Sequence, residues 1–238
     1  MNALRVRAER AANTLGYGLA TGLAAAAAGA LTGGLGWALA LGGTAAVAGA
    51  HVGRTRPDST TRRHARLTQA TIEHLAPLQR EGWSLLHARP VGQDPDRVYH
   101  LCVPPSANTV MVLMDWAWRR GAPVHLDEQG VLHNGAEPSD QAVEWVLHAG
   151  QTVRETLQHH CRALGRIGVG QALPVHHAPV ANEGHLQFHR EYAGQVQEIN
   201  VLHSGVLLEK MRTVPRGTTR RSRRAARAFA ELLDNTFA

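Results

Sequence analysis

One carboxylate, that of Asp115, stands at the end of an apolar segment and is the first candidate for chemistry. Residues 98–103 and 109–114 are apolar runs with β-branched side chains, and the turn sequence PPSAN separates them. This pattern predicts a β-hairpin whose second strand ends at Asp115. The carboxylate of Asp115 is therefore a candidate for chemistry only with further polar groups beside it. The alternative is a solvated carboxylate at a strand end.

Histidines are numerous, but their spacing does not predict a zinc site. The chain has 15 histidines and two cysteines, Cys102 and Cys161, and it contains neither a Cys-x-x-Cys nor a His-Glu-x-x-His sequence. Structural and catalytic zinc sites use ligands at such fixed spacings. We therefore expect the histidines to lie at the surface and in loops. One cysteine pair is no disulfide framework, which favours a reducing compartment.

Arginine dominates the positive charge, and six arginines lie within residues 216–227. The formal net charge of +6 favours a polyanionic partner. Arginine binds phosphate bidentately and without sequence preference, and salt weakens such binding. Anionic lipid is a second candidate ligand, and a solvated helix face is the alternative to both. The candidate nucleic-acid-binding residues are Arg216, Arg220, Arg221, Arg223, Arg224 and Arg227.

The first 53 residues predict a membrane anchor. Residues 11–53 contain no Asp, Glu, Lys or Arg, and arginines flank them on both sides. One spanning helix needs about 20 apolar residues, so this length suits two short helices that break at Gly33–Gly34. Basic flanks stay in the cytoplasm, which favours two crossings. Gly-x-x-x-Gly spacings would allow close helix packing or homo-oligomers. The alternative is a soluble Ala/Gly-rich hairpin or an oligomerisation segment.

The remaining chain predicts an α/β fold, with a mixed α+β sheet flanked by helices. Periodicity and capping residues predict helices over residues 62–81, 140–164, 204–211 and 222–234. Strand patterns fall at 84–87, 98–103, 109–114, 124–126, 131–133, 172–180 and 196–202. We divide the chain into an anchor at 1–53, a linker at 54–61, a central domain at 62–214 and a basic amphipathic helix at 215–238.

Several short motifs in residues 62–208 resemble the nuclease-related domain (NERD) family, a branch of the restriction-endonuclease-like fold. The matching pieces are GWSLLH at 82–87, HLCVPP at 100–105, VMVLMD at 110–115, Arg120-Gly121, LDEQGVL at 126–132 and ALPV at 172–175. Each piece is short, and the match rests on their order and spacing together.

The resemblance implies Mg²⁺-dependent phosphodiester cleavage, in which the ion activates water and neutralises phosphate charge. The family places a glutamate on the first helix, an aspartate on the first hairpin strand, and an acid two residues before a lysine on the second. These positions correspond here to Thr68 or Gln69, then Tyr99, Asp115 and Ala117. Only Asp115 keeps the functional group, so the resemblance makes Asp115 the candidate catalytic and metal-binding residue. A lone carboxylate binds Mg²⁺ weakly, because the ion takes several oxygen ligands in octahedral geometry.

A rearranged site is the alternative to a lost one. Glu73 lies one helical turn from position 69, Asp96 precedes the strand of Tyr99, and Arg119 lies two residues after Ala117. With Asp115 they would form a shifted site that binds Mg²⁺. Arginine could stabilise phosphate charge there but could not serve as a base at neutral pH.

Three functional hypotheses follow. The first is a module anchored in the inner (cytoplasmic) membrane that binds nucleic acid at the cytoplasmic face, with weak or lost catalysis. The second is an Mg²⁺-dependent endonuclease with a rearranged active site. The third is a membrane-tethered scaffold whose arginines contact lipid or protein.

Overall fold

A computed structural model of the chain describes residues 19–20, 23–24, 45, 59–91, 99–160, 167–214 and 219–238. Two units separate along the chain, Met1–Ala65 and Arg66–Ala238. Nearly all of the expected anchor (1–53) and linker (54–61) lies outside the described residues. Within the described ranges no helix is long and apolar enough to cross a membrane. The following description concerns the second unit and the helix that leads into it.

Four longer helices and nine strands follow one another in that part of the chain, together with a four-residue helical turn at Ala181–Gly184. The helices are α1 (Ser59–Arg80), α2 (Asp140–His160), α3 (Ser204–Arg212) and α4 (Arg220–Thr236). The strands are β1 (Ser84–Arg89), β2 (Tyr99–Val103), β3 (Thr109–Met114), β4 (Val124–Leu126), β5 (Leu132–Asn134), β6 (Glu137–Pro138), β7 (Gly168–Val175), β8 (His185–Tyr192) and β9 (Gln195–His203).

Six of the strands form a mixed sheet in the order β1-β2-β3-β7-β9-β8. β1, β2 and β3 are antiparallel neighbours, whereas β7 runs parallel to both β3 and β9, and β8 is antiparallel to β9. The helix α2 connects β3 to its parallel neighbour β7, as a parallel pair requires. A separate three-stranded sheet, β4-β5-β6, lies in the connection between β3 and α2.

Helices cover both faces of the six-stranded sheet, so the α/β architecture with a mixed sheet and flanking helices is confirmed. On one face, Tyr99, Leu101 and Leu173 pack in a core with the apolar sides of α2 and α4. On the other face, Cys102 and Leu113 pack against α1 and α3. Successive residues of a strand point to opposite faces, so β2 contributes alternate side chains to the two cores.

The helix α1 packs through a stripe that is not wholly apolar. Leu67, Leu75 and Leu78 are buried, and Thr71, at the matching helical spacing, is fully buried with them. The apolar pattern of the sequence favoured Ile72 instead, but Ile72 is only partly buried. A hydroxyl therefore interrupts the buried side of α1 directly above the sheet.

The strand β8 was not predicted. Its sequence, HLQFHREY, buries Leu186 and Phe188 at alternate positions. The surrounding histidines, arginine and glutamate mask this short period-two signal. Conversely, the helix expected over 140–164 is described as Asp140–His160, and residues 161–166 lie outside the described ranges.

A β-bulge near the end of β1 sends neighbouring polar side chains to opposite faces. Leu86 pairs with Leu101 and Arg89 pairs with Tyr99, so β1 holds one extra residue. Within the bulge, Ala88 has a φ of +54°, in the left-handed region. Arg89 consequently shares the face of Tyr99, where it forms an ion pair with Asp234 of α4. His87 stays on the α1 face.

Replacing Ala88 with glycine should stabilise the protein. Left-handed backbone costs an alanine about 1–2 kcal/mol, and the greater freedom of glycine in the unfolded chain takes back about 0.4–1 kcal/mol. We expect the free energy of unfolding to rise by up to about 1 kcal/mol, as measured by chemical denaturation. The matched control is Ala76→Gly on the exposed side of α1, which should lower it by about 1 kcal/mol. An equal decrease in the free energy of unfolding of both variants would contradict the left-handed backbone of Ala88 in the bulge.

Candidate functional site

Asp115 directly follows β3, an interior strand of the six-stranded sheet, and it is buried with 6% of its surface exposed. The alternative of a solvated carboxylate at a strand end is therefore wrong. Asp115 continues the alternation of Met111 and Leu113, so its side chain lies on the face that α1 covers. A carboxylate in such a place must find hydrogen-bond donors, because burying an unpaired charge is very costly.

Polar side chains form a row across four adjacent strands on that face. His87 comes from β1, His100 from β2, Asp115 follows β3 and His176 follows β7. Since β3 and β7 are parallel, Asp115 and His176 lie at the carboxyl ends of their strands, where open α/β sheets commonly bind ligands. Thr71 reaches the row from α1. We call these five residues the polar row.

Both oxygens of the Asp115 carboxylate are engaged. The Thr71 hydroxyl donates to Oδ1 over 2.6 Å, and the Nε2 atom of His100 lies 2.9 Å from Oδ2. Thr71 and His100 are both fully buried. The carboxylate thus connects α1 to the sheet through one helix residue and one strand residue.

The polar row continues outward on both sides of this buried centre. On one side, His87 Nδ1 lies 2.9 Å from His100 Nδ1. On the other side, His176 Nε2 lies 2.7 Å from the Thr71 hydroxyl oxygen. The two terminal imidazoles are only partly buried, so the row runs between two positions with access to solvent.

Burial and hydrogen bonding act in opposite directions on Asp115. Burial by itself raises the pKa of this carboxyl, but the hydrogen bonds from His100 and Thr71, together with electrostatic interactions with His100 and His176, outweigh it. The pKa of Asp115 is consequently held below its ordinary value. Asp115 is an ionised acceptor at neutral pH.

The outer histidines are held neutral. Burial, followed by repulsion from His100, lowers the pKa of His87 to about 4, although Asp115 raises it. Burial also lowers the pKa of His176 to about 4, with repulsion from His74 and His177 against attraction by Asp115. Both imidazoles are therefore uncharged at neutral pH.

The structure does not bring the other residues of the expected rearranged site to Asp115. Glu73 lies on the exposed side of α1 and accepts a hydrogen bond of 2.9 Å from Gln69. Arg119 is exposed and pairs with Glu137 at 3.2 Å. Asp96 lies outside the described residues. Tyr99 is buried in the core on the opposite face of the sheet.

The polar row does not fit Mg²⁺. Magnesium prefers several oxygen ligands in octahedral geometry, whereas Asp115 is surrounded by imidazoles and one hydroxyl that already occupy its oxygens. Among the residues that the structure describes, no three histidine, cysteine, aspartate or glutamate side chains converge as metal ligands. The hydrogen-bond donors Thr71 and His100 occupy the positions beside the Asp115 oxygens that a cation would have to take.

The expectation of surface and loop histidines is wrong for His100, which is fully buried in β2. A signal for it exists in the sequence, because His100 alternates with the buried Tyr99 and Leu101 in an apolar run that also contains Cys102. Thr71 carries a similar signal as a polar residue within the apolar stripe of α1. The sequence pattern alone does not mark Thr71 or His100 as functional, whereas their contacts with Asp115 in the structure do.

A second candidate site is the basic surface of α4. Thr219 caps this helix by accepting a hydrogen bond of 3.0 Å from the Ser222 backbone amide. Its buried side consists of Ala226, Phe229, Ala230 and Leu233. Its exposed arginines, which we call the arginine patch, are Arg220, Arg221, Arg223, Arg224 and Arg227. Arg216 lies outside the described residues.

The arginine patch is compact and carries uncompensated charge. Arg220, Arg223, Arg224 and Arg227 follow the spacing i, i+3, i+4 and i+7, which places them along one side of the helix. No ion pair links any arginine of the patch to another described residue. Among the described residues, the patch therefore presents guanidinium groups that form no ion pair.

No protein-family model, curated protein or solved structure matches this chain. The polar row and the arginine patch must accordingly be interpreted from their own chemistry.

The lowered histidine pKa values predict that acid destabilises the fold below about pH 6.5. The unfolded chain binds protons at histidines near pH 6.5, whereas folded His87 and His176 do so only near pH 4. Stability is thus fully present above pH 6.5 and is lost as the pH falls toward 4. We expect a loss of about 1–2 kcal/mol for each histidine, after allowance for solvent screening.

Chemical denaturation at pH values from 8 to 4.5 measures this dependence. His87→Gln and His176→Gln should each flatten the profile, because the substituted side chain does not titrate. His189→Gln, at an exposed position of β8, is the matched control. Equal slopes for all four proteins would contradict the assignment.

Proposed function

We propose that this protein is a nuclease-related module that binds nucleic acid through the arginine patch of α4 and has lost Mg²⁺-dependent cleavage. The single observation that carries the proposal is the set of five exposed arginines on one helix. Guanidinium groups bind phosphate oxygens in pairs, and several of them together bind a polyanionic backbone without sequence preference.

Electrostatic strain within α4 favours an anionic ligand. The arginines occupy the first turns of the helix, where the helix dipole is positive and basic residues are unfavourable. Like charges three and four residues apart also repel each other. Phosphate groups beside the patch would relieve both repulsions, so bound nucleic acid and the folded helix should stabilise each other.

The order of elements supports the nuclease-related part of the proposal. The helix α1, the β2–β3 hairpin that ends at Asp115, the β4–β5 hairpin, α2 and β7 follow in the order expected from the resemblance. The contacts of Asp115 support the loss of cleavage, because Thr71 and His100 already engage both of its carboxylate oxygens. The restriction-endonuclease-like fold remains part of the proposal.

Anchoring at the inner membrane is a further part of the proposal and rests on sequence alone. Residues 11–53 lack charged side chains and have arginines on both sides. A hairpin with both ends in the cytoplasm would hold the arginine patch at the cytoplasmic face, where it could contact nucleic acid.

Removing charge from the arginine patch should weaken nucleic-acid binding. The test variant carries Arg223→Gln, Arg224→Gln and Arg227→Gln. Each lost phosphate contact lowers the slope of log affinity against log salt by about 0.9, so we expect a decrease of about 2–3. Gel shifts of the full chain with duplex DNA and with RNA at several salt concentrations measure it.

The control variant for this experiment changes three exposed arginines elsewhere, Arg66, Arg80 and Arg120, to glutamine. Each of the two variants loses three positive charges, so they differ only in the position of the charge that is removed. Equal weakening by both variants would refute a local site. Binding to phosphatidylserine vesicles without binding to nucleic acid would favour the lipid or scaffold alternative.

Plasmid DNA should remain uncleaved after incubation with the full chain and Mg²⁺ or Mn²⁺, because the polar row lacks the set of oxygen ligands that either ion needs. Agarose gels reveal nicking or linearisation. Asp115→Ala distinguishes the alternative: cleavage by the natural chain that this variant abolishes would establish an active endonuclease. Cleavage that persists in Asp115→Ala would indicate a contaminating nuclease.

The full chain should sediment with membranes and require detergent for release. A chain that begins at Thr61 is the matched control and should remain in the soluble fraction. Recovery of the full chain without detergent would refute the anchor and leave the nucleic-acid proposal intact.

A further inference from the structure

The polar row contains one partner that can only accept hydrogen bonds. The ionised carboxylate of Asp115 has no proton to donate, so His100 must donate from Nε2 across the 2.9 Å contact. The remaining nitrogen of His100, Nδ1, faces His87 Nδ1 at 2.9 Å. One of these two facing nitrogens carries the proton of the hydrogen bond, and the other accepts it.

Three arrangements of protons satisfy these contacts, and the third, a doubly protonated His87 that donates from Nδ1 to a neutral His100, places the positive charge farther from Asp115. In the first, both histidines are neutral, His87 donates from Nδ1 to His100, and His87 Nε2 carries a lone pair. In the second, which holds one more proton, His100 is a doubly protonated imidazolium that donates to both neighbours. His87 is then again neutral, but its proton is on Nε2.

We propose that His87, His100 and Asp115 form a proton relay that takes up a proton at the partly exposed His87 and stores the charge on the buried His100. An external acid forms a new N–H bond at His87 Nε2. The N–H bond at His87 Nδ1 breaks as its proton moves to His100 Nδ1, where the second new bond forms. The conjugate base of the external acid leaves, and the net charge of the three side chains rises from −1 to zero.

The carboxylate determines where the charge rests. His100 contacts Asp115 directly, so its imidazolium forms a buried, hydrogen-bonded ion pair. His87 is separated from the carboxylate by His100 and is repelled by Arg89, the charged neighbour on its own strand. The lowered pKa of His87 agrees with this distribution, because it disfavours a positive charge on His87 itself.

Other titratable groups border the relay on each packed element. His74 belongs to α1, while His176 and His177 follow β7 and act on the row from the opposite end. Cys102 of β2 is buried, and burial raises the pKa of its thiol, so it stays protonated. His176 reaches the carboxylate only through the Thr71 hydroxyl. Of these imidazoles, only that of His100 contacts the carboxylate directly.

The relay gives the protein a base that needs no metal ion. In the deprotonated arrangement, His87 Nε2 can accept a proton from water, a hydroxyl group or a buffer acid. The positive charge then rests on the buried His100 and not on the partly exposed His87. This capacity is independent of the arginine patch on α4, so either inference can fail without the other.

Nuclear magnetic resonance of the full chain, labelled with ¹⁵N in its histidines, tests the relay. Long-range ¹H–¹⁵N spectra identify which ring nitrogens carry protons, and we would record them from pH 8 to pH 5. We expect His87 to change from the Nδ1–H to the Nε2–H tautomer at the same midpoint at which His100 becomes doubly protonated. A His87 that keeps one tautomer, or that becomes doubly protonated before His100, would overturn the proposal.

Variants assign the signals and test the role of the carboxylate. His87→Gln and His100→Gln each remove one set of resonances, and Asp115→Asn should abolish the tautomer change of His87. His189→Gln should leave both titrations unchanged. If Asp115→Asn does not fold, the spectra of the natural chain still decide the question, because the coupled change at His87 and His100 is measured there.

Discussion

The buried carboxylate of Asp115 is the constraint to which the surrounding structure responds. A charge at 6% exposure needs donors on every side, and these donors come from separate elements. His100 supplies one from the neighbouring strand, and Thr71 supplies the other from α1. The helix is thereby positioned on the sheet by a polar contact within an otherwise apolar interface, and the ends of four strands are brought into one connected row.

Imidazole and hydroxyl groups surround Asp115, where a hard cation would need several carboxylate or other oxygen ligands. A magnesium ion neutralises several carboxylates at once, whereas here a single ionised carboxylate is stabilised by hydrogen bonds from His100 and Thr71. A carboxylate that directly follows β3 can therefore take part either in metal-assisted cleavage or in proton transfer, depending on the side chains around it. Metal-assisted cleavage needs additional acids at this edge, while proton transfer needs only the row of histidines that the structure provides.

Charge is distributed so that the two candidate sites remain distinct. The bulge at Ala88 turns Arg89 toward Asp234 of α4, away from the face of the polar row. The arginines of α4 lie on its exposed side and leave Phe229 and Leu233 to pack on the sheet. The proposed phosphate binding through α4 and the proposed proton uptake through His87 thus depend on different residues.

Local patterns in the sequence were sufficient for the elements with strong periodicity. Apolar alternation and turn residues located β2 and β3, and helical periodicity located α2 and α4, because those signals arise between residues close in the chain. The same signals missed β8, whose charged residues obscure the burial of Leu186 and Phe188. They also identified Asp115 as chemically notable and the α4 arginines as exposed charge.

The tertiary structure alone decided what surrounds Asp115. Thr71 is 44 residues from Asp115 along the chain, and His176 is 105 residues from Thr71. Hydrogen bonds over such separations depend on strand order and on the docking of α1, and neither quantity is encoded in a local pattern. For that reason the sequence identified a carboxylate with missing metal ligands, whereas the fold showed a buried acceptor whose partners are a hydroxyl and a chain of histidines.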